Sequence, residues 1–166
     1  RFLADRAIEL IQKFSVTSWG GAVPTALKRV LDEAEAMSLN LESVLVVGGG
    51  GAPMPPELIE RTKDIFPNSA HSFGYGYGLT ESGAITIVNW GQGLIDEPLS
   101  PGQSMPTIQV ELRNEEGKVI KKDSIEGEIY VKSPSVMLGY YNNPEASGAA
   151  LTSDRWLRTG DWGYKK

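Results

Sequence analysis

The spacing of apolar residues in the first half of the chain alternates between a helical period and short continuous runs. Apolar positions three and four residues apart predict amphipathic helices. Short runs of β-branched, aromatic and aliphatic residues between them predict buried strands of a parallel sheet. Because strand and helix alternate, we expect right-handed crossovers and an open α/β sheet. The helices are predicted over residues 3–14, 24–37 and 55–66, and the strands over 16–19, 44–47, 69–73 and 84–88.

The apolar pattern changes in the second half, where strict alternation replaces the helical period. Apolar and polar residues alternate over 108–112 and again over 128–132, which predicts half-buried strands. Residues 114–117 (Asn-Glu-Glu-Gly) lie between these runs and predict a hairpin turn. One short helix is predicted over 144–150, with Asn142 or Asn143 near its start.

This change of pattern predicts two structural segments. Residues 1–97 are expected to form an α/β segment with an open, mostly parallel sheet and flanking helices. Residues 98–166 are expected to form a small antiparallel, β-barrel-like subdomain. Both candidate glycine-rich stretches fall in the first segment, and the second ends in an Arg-Thr-Gly-Asp block.

The composition is that of an ordinary globular protein and narrows the classes of function. The 166 residues are 40% hydrophobic and carry a net charge of −5 without a stripe of Lys or Arg, so nucleic acid is not an expected partner. With no cysteine and a single histidine, His71, the chain cannot form a thiolate zinc site or a zinc site of several histidines. No apolar run approaches the ~20 residues that span a bilayer, so we expect a soluble, cytoplasmic protein.

We also expect the chain to be part of a longer protein. It starts with Arg1 rather than Met, and a predicted helix follows at once. It stops at residues 164–166, shortly after a predicted Gly-Asp turn, with no further element to pack on that turn.

Two glycine-rich stretches follow predicted strands, and both are candidates for ligand binding. They are residues 48–53 (Gly-Gly-Gly-Gly-Ala-Pro) and 74–83 (Gly-Tyr-Gly-Tyr-Gly-Leu-Thr-Glu-Ser-Gly). In open α/β sheets, ligands bind at the carboxyl ends of the strands. Glycines let backbone amides approach a ligand, a tyrosine offers a flat face for a base, and a carboxylate suits Mg²⁺. Taken alone, the second stretch is equally compatible with a turn whose tyrosines pack in the core, and neither stretch matches GxxxxGK[ST] or GxGxxG.

A third candidate, residues 158–161 (Arg-Thr-Gly-Asp), changes how the first two are interpreted. By composition alone, Asp161 would be a turn residue. Together with residues 50–53 (Gly-Gly-Ala-Pro) and 76–81 (Gly-Tyr-Gly-Leu-Thr-Glu), however, the block resembles motifs of the adenylate-forming superfamily. That superfamily contains acyl-CoA synthetases, firefly luciferase and the adenylation domains of peptide synthetases. Further blocks that resemble the family lie at residues 10–25 and 127–145.

The resemblance implies a role for each matched residue. Tyr77 is expected to stack on adenine, while Thr80 hydrogen-bonds the α-phosphate and Glu81 holds Mg²⁺, so Thr80 and Glu81 are the implied catalytic residues. Asp161 is expected to accept hydrogen bonds from both ribose hydroxyls. The implied nucleotide site, with its first four residues as one wall of the adenine slot, comprises Gly50, Gly51, Ala52, Pro53, Gly76, Tyr77, Gly78, Leu79, Thr80 and Asp161.

The resemblance also implies where the acyl group lies, but two motifs of the family have no match in this sequence. The acyl group is expected near Trp19, Gly76 and Gly83. Leu79 favours an acyl- or aryl-CoA ligase, because peptide-synthetase domains usually resemble this block with Pro there. The family's phosphate loop ending in Lys, and its C-terminal domain with a catalytic Lys, have no match in this sequence. We therefore expect the second half of a large N-terminal domain, inactive as a ligase on its own.

The resemblance thus predicts that the chain is a fragment of an ATP-dependent acyl-CoA synthetase. The intact enzyme would activate a carboxylic acid, expected to be a fatty acid, as an acyl-adenylate and transfer it to coenzyme A, releasing AMP and pyrophosphate. Mg²⁺ is the expected cofactor, and ATP, the acid and coenzyme A are the expected small-molecule partners. Peripheral membrane contact is left to parts outside this chain. Two alternatives stay open: an enzyme that loads a carrier protein, and a noncatalytic module on the same scaffold.

Overall fold

The computed structural model describes residues 2–69 and 71–166, which form two compact units. The first unit comprises the chain up to Tyr77 and the segment Ile87–Gln103. The second unit comprises Gly78–Thr86 and Ser104–Lys166. Residues 78–86 therefore group with the C-terminal part of the chain, whereas the sequence-based division at 97/98, which stays a prediction, assigns them to the N-terminal part.

The three predicted helices of the first unit are confirmed, with ends within a residue or two of those expected. Amphipathic spacing buries one face of each helix, and a proline in the first turn starts both the second and the third. The first helix ends at Phe14 and is capped by Ser15, whose φ of 48° is left-handed. These helices are α1 (Ala4–Phe14), α2 (Pro24–Ala36) and α3 (Pro56–Ile65).

The predicted mostly parallel sheet is also confirmed, and it contains five strands in sequential order. The first pairs parallel with the second, and the second with the third. The fifth, of two residues, and the short helix α4 (Gln92–Asp96) before it were not predicted. The strands are β1 (Ser18–Ala22), β2 (Val46–Gly50), β3 (Phe73–Leu79), β4 (Ala84–Trp90) and β5 (Gln103–Ser104).

Three predicted strand boundaries are wrong, all in the same direction. The strands predicted over 16–19 and 44–47 start later and continue through the glycines that follow them. The strand predicted over 69–73 starts only at Phe73, because Ser69 belongs to a 3-10 turn, and Ala70 lies outside the described residues. Residues 48–50 and 74–76 are thus strand and not loop, because they pair with each other on neighbouring parallel strands, which satisfies their backbone groups.

The core of the first unit forms where α2 packs against α1, α3 and the first two strands. Its members are aliphatic or aromatic, and several are fully excluded from solvent. Fully buried members of this core include Leu27, Val30, Leu31, Ala34, Val44, Val47 and Phe66.

Charged side chains join α2 to α3 at the edge of this core. Arg61 donates hydrogen bonds from Nε and Nη2 to the two carboxylate oxygens of Glu35, each at 2.8 Å. Its Nη2 also donates to Asp32 at 2.7 Å. Hydrogen bonds from Lys28 and then Arg61 hold the pKa of Asp32 below its usual value, which indicates a carboxylate stabilised in its charged form.

The second unit contains the predicted antiparallel strands, β6 (Gln109–Arg113), β7 (Gly127–Lys132) and β8 (Leu157–Gly163), in that order. Both pairings are antiparallel. Val131 and Leu157 are fully buried, and they form a small core cluster with the buried Val136. The predicted hairpin turn is confirmed, because Gly117 N donates to Asn114 O at 2.8 Å.

The predicted short helix of this unit is confirmed as α5 (Pro144–Ala150). Asn143 is its N-cap, and Asn143 Oδ1 accepts a hydrogen bond from Ala146 N at 2.9 Å. The Arg-Thr-Gly-Asp block, expected by composition to be a turn, instead lies within β8. No helix in residues 2–69 and 71–166 is long and apolar enough to cross a membrane.

Candidate functional site

In the first unit, residues 48–50 of the first glycine-rich stretch pair with residues 74–76 of the second on parallel strands. Gly50 on β2 is the register partner of Gly76 on β3. A Cβ atom on Gly50 would lie 2.7 Å from the carbonyl oxygen of Gly76, which is closer than packed atoms allow. β2 therefore ends beside Gly76, and the two glycines let the backbones approach closely at the carboxyl end of β2, where ligands bind in open sheets.

The four residues assigned to the adenine wall lie partly in a strand and partly in a loop. β2 ends at Gly50, and the chain turns at Gly51, whose φ of 77° favours glycine. Ala52 and Pro53 follow it and are exposed. This loop is open to solvent at the carboxyl end of β2, where a flat ligand could lie against it.

The aromatic residues of the first unit differ in their surroundings. Tyr77 is half-buried near the end of β3. Burial raises the pKa of Tyr75, two residues earlier on the same strand face. Trp19, the tentative acyl neighbour, packs against the core with its ring centroid 5.7 Å from that of Phe66. The placement of Trp19 gives it a structural role, and its acyl contact stays a prediction.

In the second unit, Thr80 and Glu81 lie on a 3-10 turn, Thr80–Ser82, that connects β3 to β4. Ser82 is buried, and its Oγ accepts from Leu79 N at 3.0 Å. The same hydroxyl lies within donating distance of Leu79 O, at 2.8 Å, and of Ala84 O, at 3.0 Å. Ser82 thus closes the turn on itself. The hydroxyl of Thr80 makes no hydrogen bond within the described part of the chain, and Thr80 is exposed.

A segment between β7 and α5, residues 133–140, holds this turn from one side. Met137 N donates to Glu81 O at 2.8 Å, and Ser135 Oγ donates to Ser82 O at 2.8 Å. A Cβ atom on Gly83, which ends the turn with φ of 83°, would lie 2.5 Å from Ser135 O. The 133–140 segment therefore fixes the backbone of Glu81 and of the two residues that follow it.

The carboxylate of Glu81 has one partner. Tyr140 donates from its phenol to Glu81 Oε1 at 2.9 Å, and this bond raises the pKa of Tyr140. Glu81 Oε2 accepts no hydrogen bond from the described residues. Within residues 2–69 and 71–166, no group of three or more acidic or histidine side chains could hold a metal ion. A cation here would therefore be bound by one carboxylate together with oxygens of a ligand, the arrangement common for Mg²⁺ with phosphates.

Asp161 lies on β8 with an exposed side chain. Its backbone N donates to Thr159 Oγ1 at 3.1 Å, and Thr159 Oγ1 in turn donates to Ile129 O at 2.8 Å. The preceding Gly160 has φ of 76° and donates from its N to Glu128 Oε1 at 3.2 Å. These bonds hold the backbone around Asp161 on β7, so its carboxylate is presented from a fixed strand.

The structure brings together two subsets of the predicted site. In the first unit Gly50 and Gly76 are adjacent, and in the second unit Thr80, Glu81 and Gly83 share one turn. Tyr140 has no role predicted from the sequence, although it lies in the block 127–145 that resembles the family. No local signal could have found it, because its hydroxyl bonds to a residue 59 positions earlier.

Comparison with known proteins places these features in one family. Residues 1–141 match the model of the AMP-binding enzyme family. Over 171 residues the chain is 31% identical to 4-coumarate–CoA ligase of Pinus taeda, covering 99% of this chain and 30% of that protein. Over 170 residues it is 32% identical to 4-coumarate–CoA ligase 1 of Arabidopsis thaliana, covering 98% of this chain and 29% of that protein.

A solved structure agrees with these relatives. o-Succinylbenzoate CoA synthetase from Bacillus subtilis, in complex with its acyl-adenylate intermediate, superposes with a TM-score of 0.84 at 28% identity, covering 99% of this chain and 32% of the synthetase. The same synthetase is also known in complex with ATP and a magnesium ion. The chain spans about 30% of the length of the curated relatives that it matches.

Proposed function

The chain belongs to the AMP-binding enzyme family, and we propose from that premise that its parent protein is an ATP-dependent carboxylate–CoA ligase. In the first half-reaction, a carboxylate oxygen attacks the α-phosphorus of ATP, which forms the acyl-adenylate and releases pyrophosphate. In the second, the thiol sulfur of coenzyme A attacks the acyl carbonyl carbon, its proton is lost, and AMP leaves. The observation that carries the proposal is the Glu81 carboxylate on a fixed turn, with Oε2 unengaged by the described residues.

The residues of the turn fit a magnesium ion. Glu81 supplies one hard oxygen ligand, and the ATP phosphates would supply others. When bound, the ion offsets negative charge that develops on the phosphates. Because Ser82 and the 133–140 segment fix the backbone of the turn, Glu81 is held for this purpose before ATP arrives.

The remaining site residues are proposed to bind and orient ATP. The Thr80 hydroxyl, which is exposed at the start of the turn, is suited to donate to an α-phosphate oxygen. Tyr77 offers a ring face for adenine, beside the bare backbone of Gly50 and Gly76. Asp161 is proposed to accept hydrogen bonds from the ribose hydroxyls. Because such a reaction rests on positioning and charge stabilisation, these contacts are the main contribution of the protein.

For the acyl group, we propose a class of acid and not a single acid. The relatives named above are named for 4-coumarate and o-succinylbenzoate, two aromatic acids, and they favour an aryl acid over the fatty acid expected from sequence. Leu79 is compatible with either acid. A parent that loads a carrier protein would form the same adenylate and differ only in the thiol that accepts the acyl group.

The test uses the intact parent protein, a panel of aryl and fatty acids, and separate assays for pyrophosphate release and for acyl-CoA. Wild type is expected to release pyrophosphate only with Mg²⁺ and a suitable acid, and to form a thioester with coenzyme A. Glu81→Gln should lower the adenylation rate by about 100-fold or more, because it removes a charged metal ligand. Glu116→Gln, which changes an exposed glutamate in the 114–117 turn, is the matched control and should leave the rate unchanged.

Two outcomes would contradict the proposal. If no acid supports pyrophosphate release, the ligase assignment is wrong, and a noncatalytic module becomes the better hypothesis. If Glu81→Gln keeps its adenylation rate within twofold of wild type, Glu81 is structural. The 166-residue chain alone is expected to form no acyl-CoA, since its sequence contains no Lys-terminated phosphate loop.

A further inference from the structure

A glutamate on a turn has three side-chain torsions and ordinarily samples several rotamers, so a metal ligand of this kind gains from being held. Tyr140 donates its phenol proton to Glu81 Oε1 at 2.9 Å and leaves Oε2 unengaged by the described residues. A hydrogen bond to one carboxylate oxygen orients the other without neutralising the charge. The geometry is therefore that of an outer partner to a ligand, of the kind that commonly tunes metal sites.

Tyr140 is itself fixed, from the other side, by the start of α5. Its backbone N donates to Ser147 Oγ at 2.8 Å, and Ser147 Oγ donates to Asn143 O at 2.7 Å. Asn143 N in turn donates to Tyr140 O at 3.2 Å. The same asparagine caps α5 through its side chain. A rigid helix start thus anchors the backbone from which the phenol reaches the carboxylate.

The turn that carries Glu81 is held by residues just before Tyr140 in the chain. Met137 N donates to the carbonyl of Glu81, and Ser135 Oγ donates to the carbonyl of Ser82. One short stretch of chain therefore fixes both the backbone of Glu81 and, through Tyr140, its side chain. A surface hydrogen bond without a role would not need the same stretch of chain to hold both the backbone and the side chain of Glu81.

We propose that Tyr140 is a positioning residue that orients the Glu81 carboxylate for Mg²⁺ by holding Oε1 and leaving Oε2 for the ion. The proposal rests on the proposed function, because it takes Glu81 as the metal ligand. Tyr140 does not touch the ion or the reacting atoms. It acts by reducing the number of arrangements that the carboxylate must give up when the metal binds.

The neighbouring Tyr141 provides a matched control. Tyr141 is 93% exposed as a whole residue, against 41% for Tyr140, and it makes no side-chain hydrogen bond within the described part of the chain. Tyr140→Phe and Tyr141→Phe remove the same atom from adjacent positions of one segment. Only the first removal should reach Glu81.

The experiment uses the intact parent protein and two readouts. The first is the free Mg²⁺ concentration for half-maximal pyrophosphate release at saturating ATP. The second, which needs no turnover, is the dissociation constant of Mn²⁺ from the ATP-loaded protein, measured by electron paramagnetic resonance. Tyr140→Phe should raise both by about fivefold, as expected for losing a hydrogen bond to a charged group at a partly exposed position. Tyr141→Phe should change neither, and the melting temperatures of the two variants should agree.

A double-mutant cycle tests whether Tyr140 acts through Glu81. In a Glu81→Ala background, Tyr140→Phe should have no further effect on the Mn²⁺ dissociation constant. A further loss in that background would overturn the proposal, as would equal behaviour of the two tyrosine variants in the wild-type background. Ser147→Ala is a second variant that leaves the phenol intact but frees the backbone of Tyr140, and it should raise the Mn²⁺ dissociation constant in the same direction.

The outcomes also separate this proposal from the proposed function. If wild type forms adenylate and Tyr140→Phe behaves as Tyr141→Phe does, the positioning role is wrong and the ligase assignment stands. If no acid supports pyrophosphate release but Mn²⁺ binding depends on both Glu81 and Tyr140, the ligase assignment is wrong and the positioning role stands. Absence of Mn²⁺ binding to the ATP-loaded wild type would overturn the positioning role.

Discussion

Replacing Gly83 with alanine should test how tightly the Glu81 turn is packed. Gly83 has φ of 83°, and a Cβ atom there would lie 2.5 Å from the carbonyl oxygen of Ser135. Gly117 has nearly the same backbone conformation, with φ of 74°, but nothing lies within 4 Å of a Cβ placed on it. Both glycines belong to the second unit. Alanine at Gly117 therefore meets only a backbone cost, whereas alanine at Gly83 meets the same cost and a steric clash.

The magnitudes follow from these two terms. A left-handed conformation costs an alanine about 1–2 kcal/mol, and reduced freedom of the unfolded chain offsets up to about 1 kcal/mol of that. The clash at Gly83 adds about 1–3 kcal/mol, because Ser135 is held by hydrogen bonds to Ser82 O and Ser133 Oγ and cannot move without loss. We expect Gly83→Ala to cost about 1–5 kcal/mol and Gly117→Ala about 0–2 kcal/mol, with the clash alone making the difference of about 1–3 kcal/mol.

The assay is thermal and urea unfolding of both variants beside wild type. For a domain of this size, each kcal/mol shifts the melting temperature by about 2–4 °C, so Gly83→Ala should melt about 2–12 °C below Gly117→Ala. If the two variants unfold within about 1 °C of each other, the contact with Ser135 does not constrain the turn, and the argument that the 133–140 segment fixes Glu81 is refuted.

Two further predictions concern Asp161 and the charged contact between α2 and α3. Asp161→Ala in the intact parent should weaken ATP binding about tenfold or more. The control Asp123→Ala changes an exposed aspartate of the same unit and should not weaken ATP binding. A lowered melting temperature of Asp161→Ala with unchanged ATP affinity would make Asp161 a structural residue. Arg61→Lys loses the bidentate contact with Glu35 and should lower the free energy of unfolding in urea by about 1 kcal/mol. The control Arg29→Lys, on the exposed face of α2, should leave that free energy unchanged, and equal unfolding midpoints of the two variants would show that the ion pairs contribute no stability.

The pattern of apolar residues predicts the helices of this chain well and the strand ends poorly. The start of α2 follows from Pro24 and the start of α5 from the Asn143 cap, and both are local signals. β2 and β3 differ, because their glycines carry no strand preference and become strand only through pairing with each other. The register that places Gly50 opposite Gly76 is a tertiary property, and no single stretch of sequence contains it.

The candidate site shows the same division between local and tertiary information. Thr80 and Glu81 could be singled out because they follow a glycine-rich stretch that resembles a family motif. The partner of Glu81 could not, since Tyr140 is separated from it by four strands, a short helix and their connections. The role of Ser82 could not be predicted either, because a serine beside an acidic residue does not indicate that its hydroxyl closes the turn.

The discontinuous second unit limits how this protein can be recombined with its relatives. The chain passes between the units after Tyr77, after Thr86 and after Gln103, so residues 78–86 fold with a partner that starts at Ser104. A chimera with a single crossover near residue 100 would inherit the Glu81 turn from one parent and Tyr140 from the other. Pairs of parents with different turns would then lose the contacts from Ser135, Met137 and Tyr140 even if both halves fold. Exchange of 78–86 and 104–166 as one block, with three breakpoints, keeps those contacts within a single parental sequence.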